Sequence, residues 1–173
     1  SIREVVKIAH KYSDGFLNEL IWRSFFSQIL WNYPRVVDGC FKVKYNSLEW
    51  NSNDLLFKWQ KGQTGFHIVD AGMRQLIETG YMHNRSRLIT SGFLVKLAMI
   101  DWRWGEKYFA TQLTDYDPAQ NNGGWQWSSG SGADSQPYFR ILSPISQSQR
   151  FDPDCEYIKK WCPELNDVEN KHL

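Results

Sequence analysis

Apolar residues recur along this chain mostly three and four positions apart, the spacing that places them on one face of an α-helix. Strand-like alternation is weak. Asp38-Gly39, a dipeptide typical of hairpin turns, has weak apolar flanks on both sides. The pattern therefore predicts an all-α fold without a convincing hairpin.

A first helix is predicted at the start of the sequence. Ser1 and Glu4 have the spacing of a capping box, in which each side chain bonds to the backbone N–H of the other residue. The helix should run to about Lys11. Four apolar residues are expected on its buried face: Ile2, Val5, Val6 and Ala9.

A second, longer helix is predicted from Asp14, which would cap it, to about Trp31, because Pro34 follows shortly afterwards. Two stripes run along it. The first is apolar and consists of Leu17, Leu20, Ile21 and Phe25. The second combines one carboxylate with two aromatic rings and consists of Glu19, Trp22 and Phe26.

Four further helices are predicted downstream, at residues 68–79, 84–97, 105–113 and 153–161. Gly80 should end the first of them, because glycine readily adopts the left-handed conformation of a helix C-terminus. Asp152 before Pro153 is a helix-start signal for the last. These four segments complete the predicted helical framework.

Residues 115–137 are rich in Asn, Gly and Ser and are predicted to form a long loop. Loops of this length in compact domains are usually functional or disordered, and Trp125 and Trp127 argue against disorder. Within residues 121–127, the two adjacent amides of Asn121 and Asn122 are followed by two glycines and then by two indoles, a combination suited to binding a flat heterocycle. The alternative is a surface turn whose tryptophans fill the core.

Length and composition bound the class of protein. The 173 residues, 42% of them apolar, are enough for one compact domain, and no apolar run approaches the roughly 18 residues of a membrane span. The net charge is +1, so any nucleic-acid surface must be local. Cysteine and histidine spacing predicts reduced thiols and no metal site. Those residues are Cys40, Cys155, Cys162, His10, His67, His83 and His172.

Seven motifs give the chain a specific resemblance. They are Asn-Glu-Leu-Ile-Trp-Arg at 18–23, Thr-Gly-Phe-His-Ile-Val-Asp-Ala-Gly-Met-Arg-Gln at 64–75, Met-His-Asn-Arg at 82–85, Ile-Asp-Trp-Arg at 100–103, Asn-Asn-Gly-Gly-Trp-Gln-Trp at 121–127, Pro-Tyr-Phe-Arg at 137–140 and Phe-Asp-Pro-Asp at 151–154. Their order and spacing resemble the class I cyclobutane-pyrimidine-dimer photolyases of the photolyase and cryptochrome family, over nearly the whole chain. The (6-4) enzymes and animal cryptochromes differ at 82–85 and 121–127, and the DASH cryptochromes lack Gly-Trp-Gln-Trp.

The resemblance implies a function for the chain. Residues 1–173 would be the C-terminal FAD- and DNA-binding helical domain, incomplete at its N-terminal side, where an α/β antenna domain with its pigment and an FAD phosphate-binding segment are expected. Reduced, photoexcited FAD would pass an electron to a flipped-out pyrimidine dimer in damaged DNA and split it. The whole protein would be a monomeric lyase without a membrane partner, cytoplasmic, or nuclear in a eukaryote.

The same resemblance assigns residues to the cofactor. Asn121 would face the flavin N5 atom, and Asn84 and Asp117 would also line the flavin. Arg87 and Asp115 would form an ion pair beside the isoalloxazine. An ordinary structural salt bridge is the alternative for that pair, because a desolvated arginine needs a carboxylate in either case.

Three of the nine tryptophans acquire a role in the same way. Trp125, Trp102 and Trp50 occupy the positions of the family's electron-relay chain, along which an electron moves in short hops between indoles. For each of them alone, core packing is the alternative. The remaining tryptophans considered are assigned to packing: Trp31, Trp59, Trp104 and Trp161.

For the DNA lesion, the resemblance implies that Glu19 hydrogen-bonds and Trp22 stacks on the flipped dimer, with Trp127 on its other side. Leu88 stands where methionine commonly touches the lesion. Phosphate contacts would come from four arginines, each of which could instead be a solvated charge: Arg23, Arg85, Arg140 and Arg150. Glu19 could also simply pair with Arg23 one helical turn away.

Two other functions stay open. A cryptochrome-type photoreceptor would use the same flavin and tryptophans for signalling without repair. A degenerate helical module would bind neither FAD nor DNA. Four residues differ from those usual in the family, at positions expected to affect the fit to substrate and flavin: Phe16, Ser24, Tyr81 and Leu88.

Overall fold

The computed structural model describes residues 1–52, 54–135, 137 and 140–172. For His172 the description covers the backbone only. These residues form helices and connecting turns and contain no β-strand, so the predicted all-α fold is confirmed. The α-helices are α1 (Ile2–Tyr12), α2 (Asp14–Asn32), α3 (Leu55–Gln60), α4 (His67–Thr79), α5 (Asn84–Gly92), α6 (Trp102–Gln112), α7 (Pro118–Ser129), α8 (Pro144–Phe151) and α9 (Glu156–Trp161).

Helix α4 lies at the centre of the domain and packs against α3, α5, α8 and α9. Its buried face is Ile68, Val69, Ala71, Met73 and Leu76. Gly80 ends it in the left-handed conformation, with φ of 67°, as predicted. The apolar spacing at 68–79 therefore correctly predicted a core helix.

A second part of the core is aromatic and lies between α6 and α7. The ring centroid of Trp125 is 5.0 Å from that of Phe109 and 5.9 Å from that of Trp59, both in edge-to-face geometry. Trp59 is fully buried, and its indole N–H donates to the Thr90 carbonyl at 3.0 Å. A Cβ on Gly105 would lie only 2.1 Å from the Trp125 ring, so α6 approaches α7 where it has no side chain.

The predicted loop at 115–137 is wrong, because α7 occupies much of it. The Asp117 carboxylate accepts hydrogen bonds from the backbone N–H groups of Ala119 and Gln120 at 3.0 and 3.2 Å, and Pro118 occupies the first turn. Asn and Gly are poor helix formers, yet packing of α7 against α2 and α6 overrides that preference. Gly130, with φ of 83°, ends the helix.

Helix α7 also anchors residues 36–41, which include the end of a 3-10 helix, Pro34–Val37, and the irregular chain after it. The Gln126 side-chain oxygen accepts from the Phe41 N–H at 2.8 Å, and its nitrogen donates to the Val36 and Gly39 carbonyls at 3.0 and 3.2 Å. Asn122 donates to the same Val36 carbonyl at 2.9 Å. Both amides are buried, so these hydrogen bonds satisfy polar groups that would otherwise be costly to bury.

The predicted burial of α1 and α2 needs correction. Of the four apolar residues expected in the face of α1, Ala9 is buried, whereas Ile2 and Val6 are exposed. The reason is that α1 packs mainly against α2. The cap of α2 is Ser13, whose hydroxyl accepts from the Phe16 N–H at 3.2 Å, rather than Asp14. Ile21, predicted in the inner stripe of α2, is also exposed.

Several other boundaries differ. Helix α5 is followed directly by a π-helical turn, Phe93–Leu97, so the predicted 84–97 segment is helical but changes its winding. Helix α6 starts three residues early because Asp101 caps it. Helix α9 starts after Cys155, whose φ is 56°, and the Asp152 carboxylate accepts from two N–H groups of its first turn. Helices α3 and α8 were not predicted.

Two tryptophans assigned to packing are not core residues. Trp31 is 86% exposed at the end of α2, and Trp104 is 56% exposed on α6. The cysteines Cys40, Cys155 and Cys162 are buried and free. Within the described residues, no helix is both long and apolar enough to span a membrane, and no cluster of His, Cys, Asp or Glu has a metal-binding arrangement.

Candidate functional site

A cavity of about 420 Å³ opens between α2, α5, α6, α7 and the turn that precedes α7. Its apolar walls include Phe26, Met82, Phe109 and Leu113. Nine residues predicted for the site line it: Glu19, Arg23, Asn84, Arg87, Leu88, Asp115, Asp117, Asn121 and Trp125. Residues more than 100 positions apart in sequence therefore meet in one place.

One wall of the cavity is built around Arg87. One guanidinium nitrogen donates to both carboxylate oxygens of Asp115 at 2.8 and 3.0 Å, and the Nε–H donates to the Met82 carbonyl at 2.7 Å. The Tyr81 ring lies 5.9 Å from the guanidinium carbon. The predicted ion pair is thus present, and its arginine is fixed on three sides.

The first turn of α7 forms another part of the cavity wall. Asp117 pairs with Arg23 at 3.5 Å, and the Gln120 side chain donates to the Arg23 carbonyl at 2.9 Å. In this structure Arg23 pairs with Asp117, and the described residues show no ion pair between Glu19 and Arg23. These contacts join α2 to α7 across the cavity and leave Glu19 on the lining surface.

Asn121 is oriented by Glu106 of α6. Its amide nitrogen donates to the Glu106 carbonyl at 2.9 Å and to the Glu106 carboxylate at 3.0 Å. Both bonds use the nitrogen, so the amide oxygen is left as the acceptor for a ligand N–H. Burial raises the pKa of Glu106 above its usual range, and the Asn121 hydrogen bond partly opposes that rise.

This shift predicts a pH-dependent effect of Glu106→Gln. In the wild-type domain the ionised carboxylate is disfavoured by burial, whereas glutamine has no charge and still accepts from Asn121. The variant should have the higher free energy of unfolding at neutral pH. The stability advantage of the variant should fade as the pH falls through the raised pKa of Glu106 in the folded state. It should be absent below pH 4.5, the ordinary pKa of this carboxyl group.

Urea denaturation across that pH range measures the difference. Glu78→Gln, on the exposed side of α4, is the matched control for removing a surface carboxylate. A gain for Glu106→Gln that grows towards low pH would contradict the assigned direction.

The predicted relay tryptophans differ in their burial and in their contact with the cavity. Trp125 lines it, and its ring edge touches α6 at Gly105, one turn after Trp102. Trp102 is buried. The segment that carries Trp50 is hydrogen-bonded to the turn that precedes Trp102. There the Asn51 N–H donates to the Met99 carbonyl at 2.7 Å. Trp50 is half-buried, so the series leads outwards.

Trp22 and Trp127 do not line the cavity formed by the described residues. Trp22 is stacked on Phe26, with ring centroids 5.9 Å apart, and lines an adjacent apolar groove with Phe25 and Phe41. Trp127 lines a smaller pocket on the other side of Phe26. The predicted Glu19 and Trp22 pair is therefore split between the cavity and its neighbouring groove.

The four predicted phosphate-binding arginines are also placed differently. Arg23 faces the cavity, whereas Arg85 and Arg150 flank the Phe151 ring. Arg140 is exposed. In the motif that contains Arg140, Tyr138 and Phe139 lie outside the described residues.

Sequence reasoning missed several residues of the site: Tyr81 as a lining residue, Glu106, Phe109, Tyr116 and Gln120. Trp59, predicted to be a packing residue, is one, and it packs against Trp125. A signal existed for the missed residues on α7. Positions 117, 120, 121, 124, 125 and 128 have helical spacing and all line the cavity. Glu106 and Phe109 gave no comparable signal, because only the packing of α6 on α7 brings them to the site.

An all-α domain with an aromatic-walled cavity and a few fixed polar groups is typical of a domain that binds a flat organic cofactor. Residues 16–173 match the family described as the FAD binding domain of DNA photolyase. The chain therefore belongs to the FAD-binding domain family of DNA photolyase.

Curated relatives share the name deoxyribodipyrimidine photo-lyase. The Salmonella typhimurium protein is 51% identical over 160 residues, covering 91% of this chain and 34% of the relative. The Escherichia coli protein is 51% identical over 158 residues, covering 90% and 34%. The chain thus spans about a third of the length of these relatives.

Solved structures show the same fold. An archaeal photolyase from Sulfolobus tokodaii with two FAD molecules matches 99% of this chain and 40% of its own, with a TM-score of 0.93 and 44% identity. The cryptochrome of Synechocystis sp. PCC6803 matches 98% of this chain and 36% of its own, with a TM-score of 0.86 and 35% identity. Both comparisons support the predicted helical architecture.

Proposed function

We propose that the cavity binds FAD and that the domain serves light-driven repair of cyclobutane pyrimidine dimers, as part of a class I deoxyribodipyrimidine photo-lyase. One observation carries the proposal: nine residues from separate motifs line one cavity of about 420 Å³. That volume lies within the usual range for ligand sites. The relatives named photo-lyase support the reaction.

The residues fit a flavin in shape and in chemistry. Phe109, Leu113 and Trp125 offer apolar surface for flat rings, and Asn121 offers an uncharged amide oxygen suited to the N–H of a reduced flavin. The ion pair of Arg87 and Asp115 would lie beside the rings, and Asn84 and Asp117 would complete the lining. When bound, FAD supplies the light-driven electron transfer.

Trp125, Trp102 and Trp50 would form an electron relay between the cavity and the surface. The burial of Trp102 and the partial exposure of Trp50 suit an inner and an outer position in that series. Each indole would be oxidised transiently as an electron passes towards the cavity.

For the lesion, Glu19 would accept hydrogen bonds from the flipped dimer at the cavity, close to Leu88. Extruding bases costs a few kcal/mol, least where damage has weakened pairing. Trp22 and Trp127 lie in the adjoining groove and pocket, so we assign them to stacking at the edge of the lesion. Arg85, Arg140 and Arg150 would contact phosphates, and Arg23 would do so only if it left Asp117.

The relatives are about three times as long as this chain. We propose that the domain acts as the C-terminal part of such a protein, with a light-harvesting pigment bound elsewhere in it. The proposed whole is a monomer that works in the cytoplasm, or in the nucleus of a eukaryote.

A second candidate is a cryptochrome-type photoreceptor, which the match to the Synechocystis cryptochrome supports. It would use the same cavity and tryptophans, but without repair. The two functions predict different behaviour towards dimer-containing DNA.

The test begins with titration of the domain with FAD, followed by its visible spectrum. The FAD-loaded protein, chemically reduced, is then irradiated with DNA that contains a cyclobutane thymine dimer. Loss of the dimer supports repair. Bound, photoactive FAD without dimer loss or preference favours the photoreceptor, and failure to bind FAD overturns the cavity assignment for this chain.

Glu19→Ala is expected to weaken binding of dimer-containing DNA about tenfold, because it removes a charged hydrogen-bond acceptor from the cavity. The visible spectrum of bound FAD should be nearly unchanged. Fluorescence anisotropy with labelled DNA measures the affinity, and Asn18→Ala, exposed on the preceding position of α2, is the control. Equal loss in both variants would assign the effect to α2 as a whole.

A further inference from the structure

Two guanidinium groups from different helices lie close to the Phe151 ring. The central carbon of Arg85, on α5, is 4.4 Å from the ring centroid, and that of Arg150, on α8, is 5.1 Å away. Both are cation–π distances. Phe151 itself is 44% exposed, so the ring and its two arginines form a surface patch that we call the Phe151 patch.

Neither arginine of the Phe151 patch has an ion-pair partner among the described residues. Four arginines of the domain pair with carboxylates: Arg23, Arg74, Arg87 and Arg103. By contrast, no ion pair among residues 1–52, 54–135, 137 and 140–172 includes Arg85 or Arg150. The adjacent Asp152 carboxylate is buried and accepts from the Tyr157 and Ile158 N–H groups at 3.0 and 2.9 Å. The patch therefore keeps two positive charges.

The Phe151 patch adjoins the cavity. Arg85 does not line the cavity, but on α5 it follows Asn84 directly and lies one helical turn before Leu88, and both of those residues line the cavity. A nucleic-acid strand that inserts a base into the cavity must place the phosphates on either side of that base near the cavity rim. Guanidinium groups bind phosphate with parallel N–H···O bonds, so a rim with two free arginines suits such a strand.

We propose that Phe151 is a positioning residue for nucleic acid: its ring holds Arg85 and Arg150 ready for two backbone phosphates beside the cavity. This inference rests on the proposed function for its DNA partner. Ordering a long side chain on binding costs a factor of about two to ten in affinity. A ring that already restricts both side chains removes part of that cost before the DNA arrives.

The test measures DNA affinity by fluorescence anisotropy over a series of salt concentrations. The two probes are a labelled duplex with one cyclobutane thymine dimer and the same duplex undamaged. Phe151→Leu is expected to weaken binding of both duplexes about fivefold, because phosphate contacts carry no sequence information. Phe151→Tyr keeps the ring and should bind within about twofold of wild type. Thermal melting checks that both variants fold.

Arginine variants give an independent readout. Arg85→Gln and Arg150→Gln should each reduce the steepness of log affinity against log salt by about 0.9, as expected for one lost phosphate contact. Adding Phe151→Leu to the double arginine variant should change nothing further, since the ring would act only through the arginines. These arginine variants also carry the test if Phe151→Leu fails to fold.

Unchanged affinity for Phe151→Leu, or unchanged salt dependence for both arginine variants, overturns the proposal. The proposed repair function fails separately: binding without preference for the dimer but sensitive to Phe151 would support the patch and reject lesion recognition. Absence of any DNA binding by the wild-type domain would reject both.

Discussion

Gly105→Ala is expected to lower the free energy of unfolding by about 3 kcal/mol, the upper end of the usual cost of overpacking a core. The added Cβ would meet three ring atoms of Trp125 at 2.1 to 2.7 Å. Trp125 cannot retreat easily, because it is buried against Trp59 and Phe109. Since Trp125 also lines the cavity, FAD binding should fall together with stability. Urea denaturation and FAD titration measure the two effects.

Gly124→Ala provides the matched control for that prediction. Gly124 lies on α7 and lines the cavity next to Trp125, and nothing lies within 4 Å of the position its Cβ would take. Alanine should stabilise the helix there by about 1 kcal/mol. Comparison of the two variants therefore separates the effect of replacing a helical glycine from the effect of a collision with the Trp125 indole. A stable Gly105→Ala domain would show that α6 and α7 can separate at little cost.

Trp102→Phe is expected to abolish light-driven reduction of oxidised FAD while leaving dimer repair by chemically pre-reduced protein largely intact. Phenylalanine retains the apolar volume but is far harder to oxidise than an indole, so the proposed relay would be interrupted between Trp125 and Trp50. Absorbance of FAD under blue light reports the first activity, and dimer loss reports the second.

Trp104→Phe is the control for Trp102→Phe, because it removes an indole from the exposed side of the same helix. It should leave both activities unchanged. Equal loss of photoreduction and repair in Trp102→Phe would instead indicate that Trp102 supports the cavity as a packing residue.

The helices that sequence patterns predicted well are those with a buried face and a clear end. Helix α4 is the clearest example, since its apolar spacing and Gly80 were both informative. Burial on α1 and α2 was predicted poorly, because periodicity indicates which face is apolar and cannot show whether anything covers it. Ile2 and Ile21 are apolar, in helical register and exposed.

The main failure, at 115–137, has a physical cause. Local composition favoured a loop, whereas α7 is stabilised by contacts distant in sequence, such as the approach of Phe26 to Gly123, where a Cβ would lie 2.2 Å from the ring. The residues that line the cavity were predicted from the family motifs rather than from periodicity. Spacing alone could not have joined Asn84 to Asn121, or Trp22 to the groove beside Phe26.

The hydrogen bonds of Gln126 have a consequence for the motions of the domain. The Phe41 N–H belongs to an irregular segment, and such amides usually exchange with solvent hydrogen quickly. Here a side chain of α7 holds it at 2.8 Å, and α7 also forms a wall of the cavity. Exchange at Phe41 should therefore be slow, and a ligand that stabilises α7 should slow it further. A single amide outside the cavity would thus report on occupancy inside it.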